Sequence, residues 1–275
     1  MSTDPTLTVF IGGGNMATAI LGGLIQQGTP RESICVIEPN AQQREHLKQA
    51  YGIQTQEQAC DILAQAKILV WAIKPQIFHE AVQPIKPFLP ASSPLHISVA
   101  AGIKAQSIAS WLGTERIVRV MPNTPALVRQ GITGMYAMNA VSQVDRQAAD
   151  TLLQSVGQTV WVEQESQLDG VVAVSGSGPA YAFYLIEAMQ QAGQDLGLSG
   201  EQSRQLAVAT VAGAAALAAQ SEDPVSTLRE RVTSKGGTTY AALSHMELHH
   251  IKQHLVEAMH KAAERSQQLS DEFGK

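Results

Sequence analysis

The chain has 275 residues, long for one ordinary domain and comfortable for two. Hydrophobic residues make up 44% and charged residues 16%, which supplies a core and excludes a disordered chain. A net charge of −5 offers no basic surface, so no nucleic-acid partner is expected.

The polar start MSTDPTLTVF runs directly into an apolar strand, Leu7 to Ile11, and does not read as a signal peptide. Gly12, Gly13 and Gly14 follow, then Asn15 and Met16, where an apolar pattern at helical spacing (Ile20, Leu21, Leu24) takes over. Strand, glycine turn and helix are the setting of a dinucleotide site. Gly12 permits the tight turn, Gly14 lets backbone approach a pyrophosphate, and Ala17 is small enough for the helix to sit on the strand. The free N–H groups of the helix start then face the phosphates.

A second strand is predicted over Ile34 to Ile37 and a polar helix over Ala41 to Tyr51. The run Ile68 to Ile73 reads as a central parallel strand, ended by Lys74-Pro75. Further strands are predicted at Leu95 to Val99, ended by Gly102, and at Ile117 to Met121, stopped by Pro122 and Pro125. Such repeated βα units predict a doubly wound parallel sheet with its ligand crevice beyond the carboxyl ends of the strands. Met135 to Ala137 and Thr159 to Val162 are candidate last strands around a helix, Gln143 to Ser155.

Strand signals stop after about Glu163. Gly178-Pro179 opens a long helix, with Ser177 placed to cap it. Glu201 to Gln220 is a helix centred on AVATVAGAAALAA, readable as an internal core helix or as one packed across a subunit boundary. Its apolar stretch is too short and too rich in alanine for a membrane span, which needs ~20 apolar residues. A terminal helix is predicted from Ser244 to about Leu269. These features predict a soluble, cytoplasmic protein with no membrane partner.

Glu38, at the end of the second strand, is placed to hold ribose hydroxyls, or is a solvated surface carboxylate. In the first reading it repels a 2′-phosphate and makes NADH usable, with Arg44 the nearest downstream cation. Cys35 and Cys60, in stretches read as strand and helix, have no CxxC partner, so neither a disulfide scaffold nor a zinc site is expected. His245, His249, His250 and His254 have i,i+4 pairs but no fixed third ligand, and no metal site is expected. Ser175-Gly176-Ser177-Gly178 lacks the G-x-S-x-G pattern of a nucleophile elbow. The segment Val232 to Leu243 sets Gly236-Gly237 and the hydroxyls of Ser234, Thr238 and Thr239 between two helices. It is either a nest for a small carboxylate or a capped turn.

Six segments in this order, IGGGNM (11–16), AIKPQ (72–76), SVAAGI (98–103), RVMPNTPALVRQG (119–131), AVSGSGPAYAF (173–183) and VTSKGGTT (232–239), resemble pyrroline-5-carboxylate reductase over essentially the full length. The resemblance implies a Rossmann-type domain over 1–165 and an all-α dimerisation and substrate domain over 166–275, giving a homodimer or, built from dimers, a decamer. It implies NADPH- or NADH-dependent reduction of (S)-1-pyrroline-5-carboxylate to L-proline, the last step of proline biosynthesis. Gly12, Gly13, Gly14, Asn15 and Met16 would then hold the pyrophosphate. Ala72, Ile73, Lys74 and Pro75, with Val99, Ala100, Ala101 and Gly102, would line the nicotinamide half. Asn123 and Thr124 would stand near its junction with substrate. Ser234, Gly237 and Thr238 would bind the substrate carboxylate, Thr239 its ring nitrogen, and Glu222 would border the pocket. Lys235 departs from the family's usual proline. A β-hydroxyacid dehydrogenase would need a lysine on an early helix of the second domain, where there is none, and a non-catalytic nucleotide sensor would need no such loop.

Overall fold

The structure, a computed structural model, describes residues 6–273; Met1 to Pro5 of the polar start, Gly274 and Lys275 lie outside the described residues. The chain divides into two compact units, residues 6–176 with 262–273, and residues 177–261. This division falls later than the 165/166 boundary expected from the sequence. The turn after Glu163 and the helix that follows it, α6 (Gln167–Val171), belong to the first unit, as do the chain's last helical turns.

In the first unit, β1 (Thr8–Ile11), β2 (Ile34–Ile37), β3 (Gln54–Gln56), β4 (Ile68–Trp71), β5 (Leu95–Ser98), β6 (Ile117–Met121), β7 (Gly131–Ala137) and β8 (Gly157–Trp161) form one sheet. Its order is β3-β2-β1-β4-β5-β6-β7-β8. All pairs from β3 to β6 are parallel, β7 runs antiparallel to β6, and β8 is parallel to β7. The order 3-2-1-4-5-6 is that of the doubly wound dinucleotide-binding fold. The central strands β1, β2 and β4 are almost wholly apolar and buried at every position, because both faces of the sheet are covered there. Phe10, Val36, Val70 and Ile97 point to one core with α1 (Asn15–Gln26) and α5 (Gln143–Leu153). Val9, Ile11, Leu69 and Trp71 point to the other, with α3 (Phe78–Ile85) and α4 (Ala105–Leu112).

Several boundaries differ from the sequence reading. β3 is a polar edge strand without an apolar signal. β7 begins at Gly131, where an added Cβ would lie 2.9 Å from the Ala126 nitrogen. Cys60 precedes a short 3-10 turn, Asp61–Gln65, rather than lying in a helix. A buried His96 accepts a hydrogen bond from Trp71 Nε1 at 3.1 Å, and burial holds its pKa down at about 3. Burial likewise pushes the Cys35 thiol up to about 12, with Cys60 adding to the shift, so this cysteine is an inert core group.

The second unit contains α7 (Gly178–Asp195), α8 (Gly200–Gln220), α9 (Val225–Arg231), α10 (Thr238–Leu248) and the first turns of α11 (Ile251–Phe273). The expected single terminal helix is therefore two helices, interrupted where His250 adopts φ +53°. α8 starts from a Ser199 capping box with Gln202. Only Ser203 and Ala207 are buried among the described residues of this unit, while Phe183, Tyr184, Leu206, Leu217, Ile251 and Leu255 are exposed. So many large apolar side chains in water mark an association surface. No described helix is long and apolar enough to cross a membrane.

Candidate active site

The ends of β1, β2 and β4 converge on the glycine loop. Gly12 donates its N–H to the Ile37 carbonyl at 2.8 Å, and Ala72 donates to Ile11 at 2.8 Å. Gly12 has φ +91°, and a Cβ on it would lie 2.6 Å from the Ala72 carbonyl oxygen. Only glycine meets both demands. A Cβ on Gly13 would lie 2.7 Å from Leu47 Cδ1 of α2 (Ala41–Tyr51). Above Gly14 the surroundings differ, since a Cβ there would meet nothing within 4 Å. Gly14 is the N-cap of α1, with no capping side chain and no acidic residue in the first turn. The first N–H groups of α1 are thus left for an anion. Ala17 is fully buried against the sheet.

Glu38 follows β2 directly. Its Oε2 accepts the Gly13 N–H and its Oε1 the Asn40 N–H, both at 2.8 Å. The carboxylate is therefore held at the lip of the glycine loop rather than free in solvent. Arg44 donates to the carbonyls of Glu38 and Pro39 and pairs with Glu57 at 3.0 Å. Its guanidinium is thereby committed to the backbone turn and Glu57. Gln43 Nε2 donates to the Gly13 carbonyl at 2.6 Å, tying α2 to the same loop.

Further along the carboxyl edge, Ala72 and Ile73 are half-buried, Lys74 is exposed and Pro75 opens a short turn. Val99 N–H donates to the Trp71 carbonyl at 3.1 Å, Ala100 is buried, Ala101 is exposed, and Gly102 turns the chain at φ +74°. Asn123, after β6, is buried. Its Nδ2 donates to Ser175 O at 3.3 Å and Ser175 Oγ at 3.2 Å, and its Oδ1 accepts the Ile132 N–H at 3.0 Å. The Asn123 side chain is thus engaged within the protein, bridging β6, β7 and a π-helical turn, Val172–Gly176. The sequence reading meets Ser175 only within a Ser-Gly repeat that lacks a nucleophile-elbow pattern, and gives it no role beside Asn123. Ser177, expected to cap α7, makes no side-chain cap there.

In the second unit, Ser234 to Gly237 form a tight turn. Gly237 N–H donates to the Ser234 carbonyl at 3.0 Å, and Gly236 has φ +76°. A glycine with positive φ at the third position is the mark of a type II turn. Lys235 occupies the second position, where proline is favoured. Gly237 is the uncapped N-cap of α10, and Thr238 and Thr239 stand exposed in its first turn. This is a polar helix start able to receive a small carboxylate. Glu222 is exposed in the connection after α8. His245 and His249 have ring centroids 4.4 Å apart, and among the described residues no three metal-ligating side chains gather.

The crevice at the strand ends, with glycine backbone open to an anion and a positioned carboxylate beside it, suits binding of a dinucleotide. Residues 8–102 match the family described as NADP oxidoreductase coenzyme F420-dependent. Residues 165–269 match the family described as pyrroline-5-carboxylate reductase dimerisation. A pyrroline-5-carboxylate reductase of Pseudomonas aeruginosa is 42% identical over 96% of this chain and 97% of its own. The solved reductase of Coxiella burnetii superposes with a TM-score of 0.92, at 37% identity over 97% of this chain and 99% of its own. The reductase of Plasmodium falciparum, solved with NADP bound, gives 0.83 at 30% identity over 96% and 98%. With kinship extending through both units at this level of identity, the chain belongs to the pyrroline-5-carboxylate reductase family.

Proposed function

We propose that this protein reduces (S)-1-pyrroline-5-carboxylate to L-proline with NADPH or NADH, the last step of proline biosynthesis. The reading is carried by the full-length kinship with reductases of that name. It is supported by the open space over Gly14, a cradle that any larger side chain would fill. The Gly12–Met16 loop holds the pyrophosphate through the N–H groups of Gly14, Asn15 and Met16, since those of Gly12 and Gly13 are bonded to Ile37 and Glu38, and Glu38 faces the adenosine ribose. Ala72 to Pro75 and Val99 to Gly102 line the nicotinamide half. Asn123 serves that half by positioning, because its own polar atoms are taken by Ser175 and Ile132.

The loop of Ser234, Gly237 and Thr238 receives the substrate carboxylate, with Glu222 at the border of the pocket. When bound, the reduced nicotinamide supplies a hydride. The C=N carbon of the protonated imine takes up that hydride, and the electron pair of the C=N bond moves to nitrogen, leaving a neutral secondary amine. The Thr239 hydroxyl orients the ring nitrogen, so Thr239 is the catalytic residue and no strong general acid is required. Holding the two rings at attack distance is the main work of such a site.

The exposed apolar faces of the second unit are covered by a second copy in a homodimer, and dimers of this kind can build a decamer. The absence of a membrane-crossing helix among the described residues accords with a cytoplasmic enzyme. Isotope transfer tests the reaction. Nicotinamide deuterated at its hydride position should yield L-proline carrying deuterium at the ring carbon that bore the C=N bond. Unlabelled proline, or no proline, would sink the assignment.

A further inference from the structure

The chain's last helical turns lie against the loop assigned to the nicotinamide. Gly102 ends that loop at φ +74°, and a Cβ on it would meet Phe273 Cδ2 at 3.2 Å and Leu269 Cβ at 3.3 Å. The end of α11 is therefore packed on the backbone of the loop with no space between them. Phe273 also packs against the core that holds Ala100 and Ile103. Ser266 and Ser270 on the same helix are buried, and Ser266 Oγ donates to Asp169 Oδ1 at 2.6 Å. Two residues past Gly102, Lys104 Nζ donates to Asp271 Oδ1 at 2.8 Å. Both groups of that ion pair are more than half exposed, so it adds registration rather than much stability.

The loop is anchored on both sides, by β5 before it and, after it, by the buried Ile103 and the Ala105 N–H that donates to Glu165 Oε1 at 2.6 Å. Val99 N–H donates to Trp71 O, and Ala100 N–H bonds Ser98 Oγ at 3.3 Å. Ala101 is exposed, and Gly102 adopts a backbone conformation that costs glycine nothing to leave. Between these anchors, the turn at Ala101 and Gly102 depends on what is pressed against it.

We propose that Leu269 and Phe273 at the end of α11 are positioning residues that clamp the Val99–Gly102 loop in the shape that receives the nicotinamide half of the cofactor. This rests on the reductase reading for the loop's role. It adds a residue set that no motif in the chain points to. Phe273 acts through the loop backbone and has no contact of its own with the reacting atoms.

The test compares wild type with Phe273→Ala and Phe273→Leu. Titration of NADH and NADPH by nicotinamide fluorescence should show the dissociation constant in Phe273→Ala rising at least about fivefold. The KM for the imine should stay within about twofold, since only one partner's site is loosened. Hydrogen exchange of residues 99–104 should accelerate in the same variant. Phe273→Leu, which keeps an apolar contact on Gly102, should regain most of the affinity. If Phe273→Ala does not fold, the leucine variant carries the test alone, with a rise of about twofold expected. An unchanged dissociation constant with a lowered melting temperature would overturn the proposal and leave α11 a plain buttress. Wild-type protein that binds dinucleotide but reduces no imine would instead defeat the reductase reading, while the dissociation constants would still decide the clamp.

Discussion

Replacing Gly14 and Gly12 separately with alanine distinguishes a glycine required by a ligand from one required by the fold. A methyl on Gly14 enters open space, and its backbone at φ −68° suits any residue. Alanine is a poorer N-cap than glycine by less than about 1 kcal/mol, and a stiffer unfolded chain offsets about 0.4–1 kcal/mol. Gly14→Ala should therefore melt within about 2 °C of wild type. Gly12→Ala meets the Ala72 carbonyl at 2.6 Å and Ile73 Cγ2 at 2.7 Å, at φ +91°. Left-handed strain of about 1–2 kcal/mol and overpacking of about 1–3 kcal/mol add to about 2–5 kcal/mol. At roughly 2–4 °C per kcal/mol that is about 4–20 °C of melting temperature. Dinucleotide affinity should order them differently. Gly14→Ala, though fully folded, should lose about ten- to hundredfold, or about 1.4–2.8 kcal/mol. Differential scanning fluorimetry beside fluorescence titration reads both quantities. Wild-type affinity in Gly14→Ala would refute the placing of pyrophosphate over that glycine.

Removing the charge of Glu38 with Glu38→Gln should move the kcat/KM ratio towards NADPH by about tenfold, because the carboxylate fixed by Gly13 and Asn40 no longer repels a 2′-phosphate. An unchanged ratio would return Glu38 to a purely structural role. Lys235→Pro places the favoured residue at the second position of the Ser234–Gly237 turn, and should stabilise by about 0.4–1 kcal/mol and lower the imine KM. A lower melting temperature would show that the Lys235 backbone is unsuited to proline. His96 stays neutral in the folded protein down to about pH 3, because burial, and then the nearby Arg116 charge, disfavour its cation. Unfolded histidine protonates below about 6.5, so stability is full above that pH and falls as pH drops towards 3, by roughly 1.4 kcal/mol per unit. His96→Gln should show a shallower decline across that window, and equal slopes would count against the buried neutral histidine.

The central strands and the glycine loop were legible because their signals are local. ILVW at 68–71 is apolar at every position, as burial on both faces demands, and Gly12 to Gly14 lies directly between a strand and a helix. β3 was hidden because QTQ is a polar edge strand held by its pairing to β2. The start of β7 was hidden by Gly131 and Gly134, whose want of side chains answers to Ala126 and Val171 pressing on them. The helix break at His250 uses positive φ at a residue that seldom adopts it. Asn123 was read as a cofactor neighbour from its motif, while its engagement with Ser175, far along the chain, is visible only in three dimensions. The return of α11 to Gly102 is of the same kind.

The most direct test of the reductase account is a paired measurement on wild type and Thr239→Ala. Oxidation of NADH and NADPH is followed with and without pyrroline-5-carboxylate, beside direct titration of dinucleotide binding. The account predicts imine-dependent oxidation with one L-proline formed per dinucleotide. In Thr239→Ala, turnover should fall about ten- to hundredfold, the worth of a hydrogen bond to a charged group, with dinucleotide affinity unchanged. Dinucleotide binding without imine-dependent oxidation in the wild type, or full turnover in the variant, would contradict it.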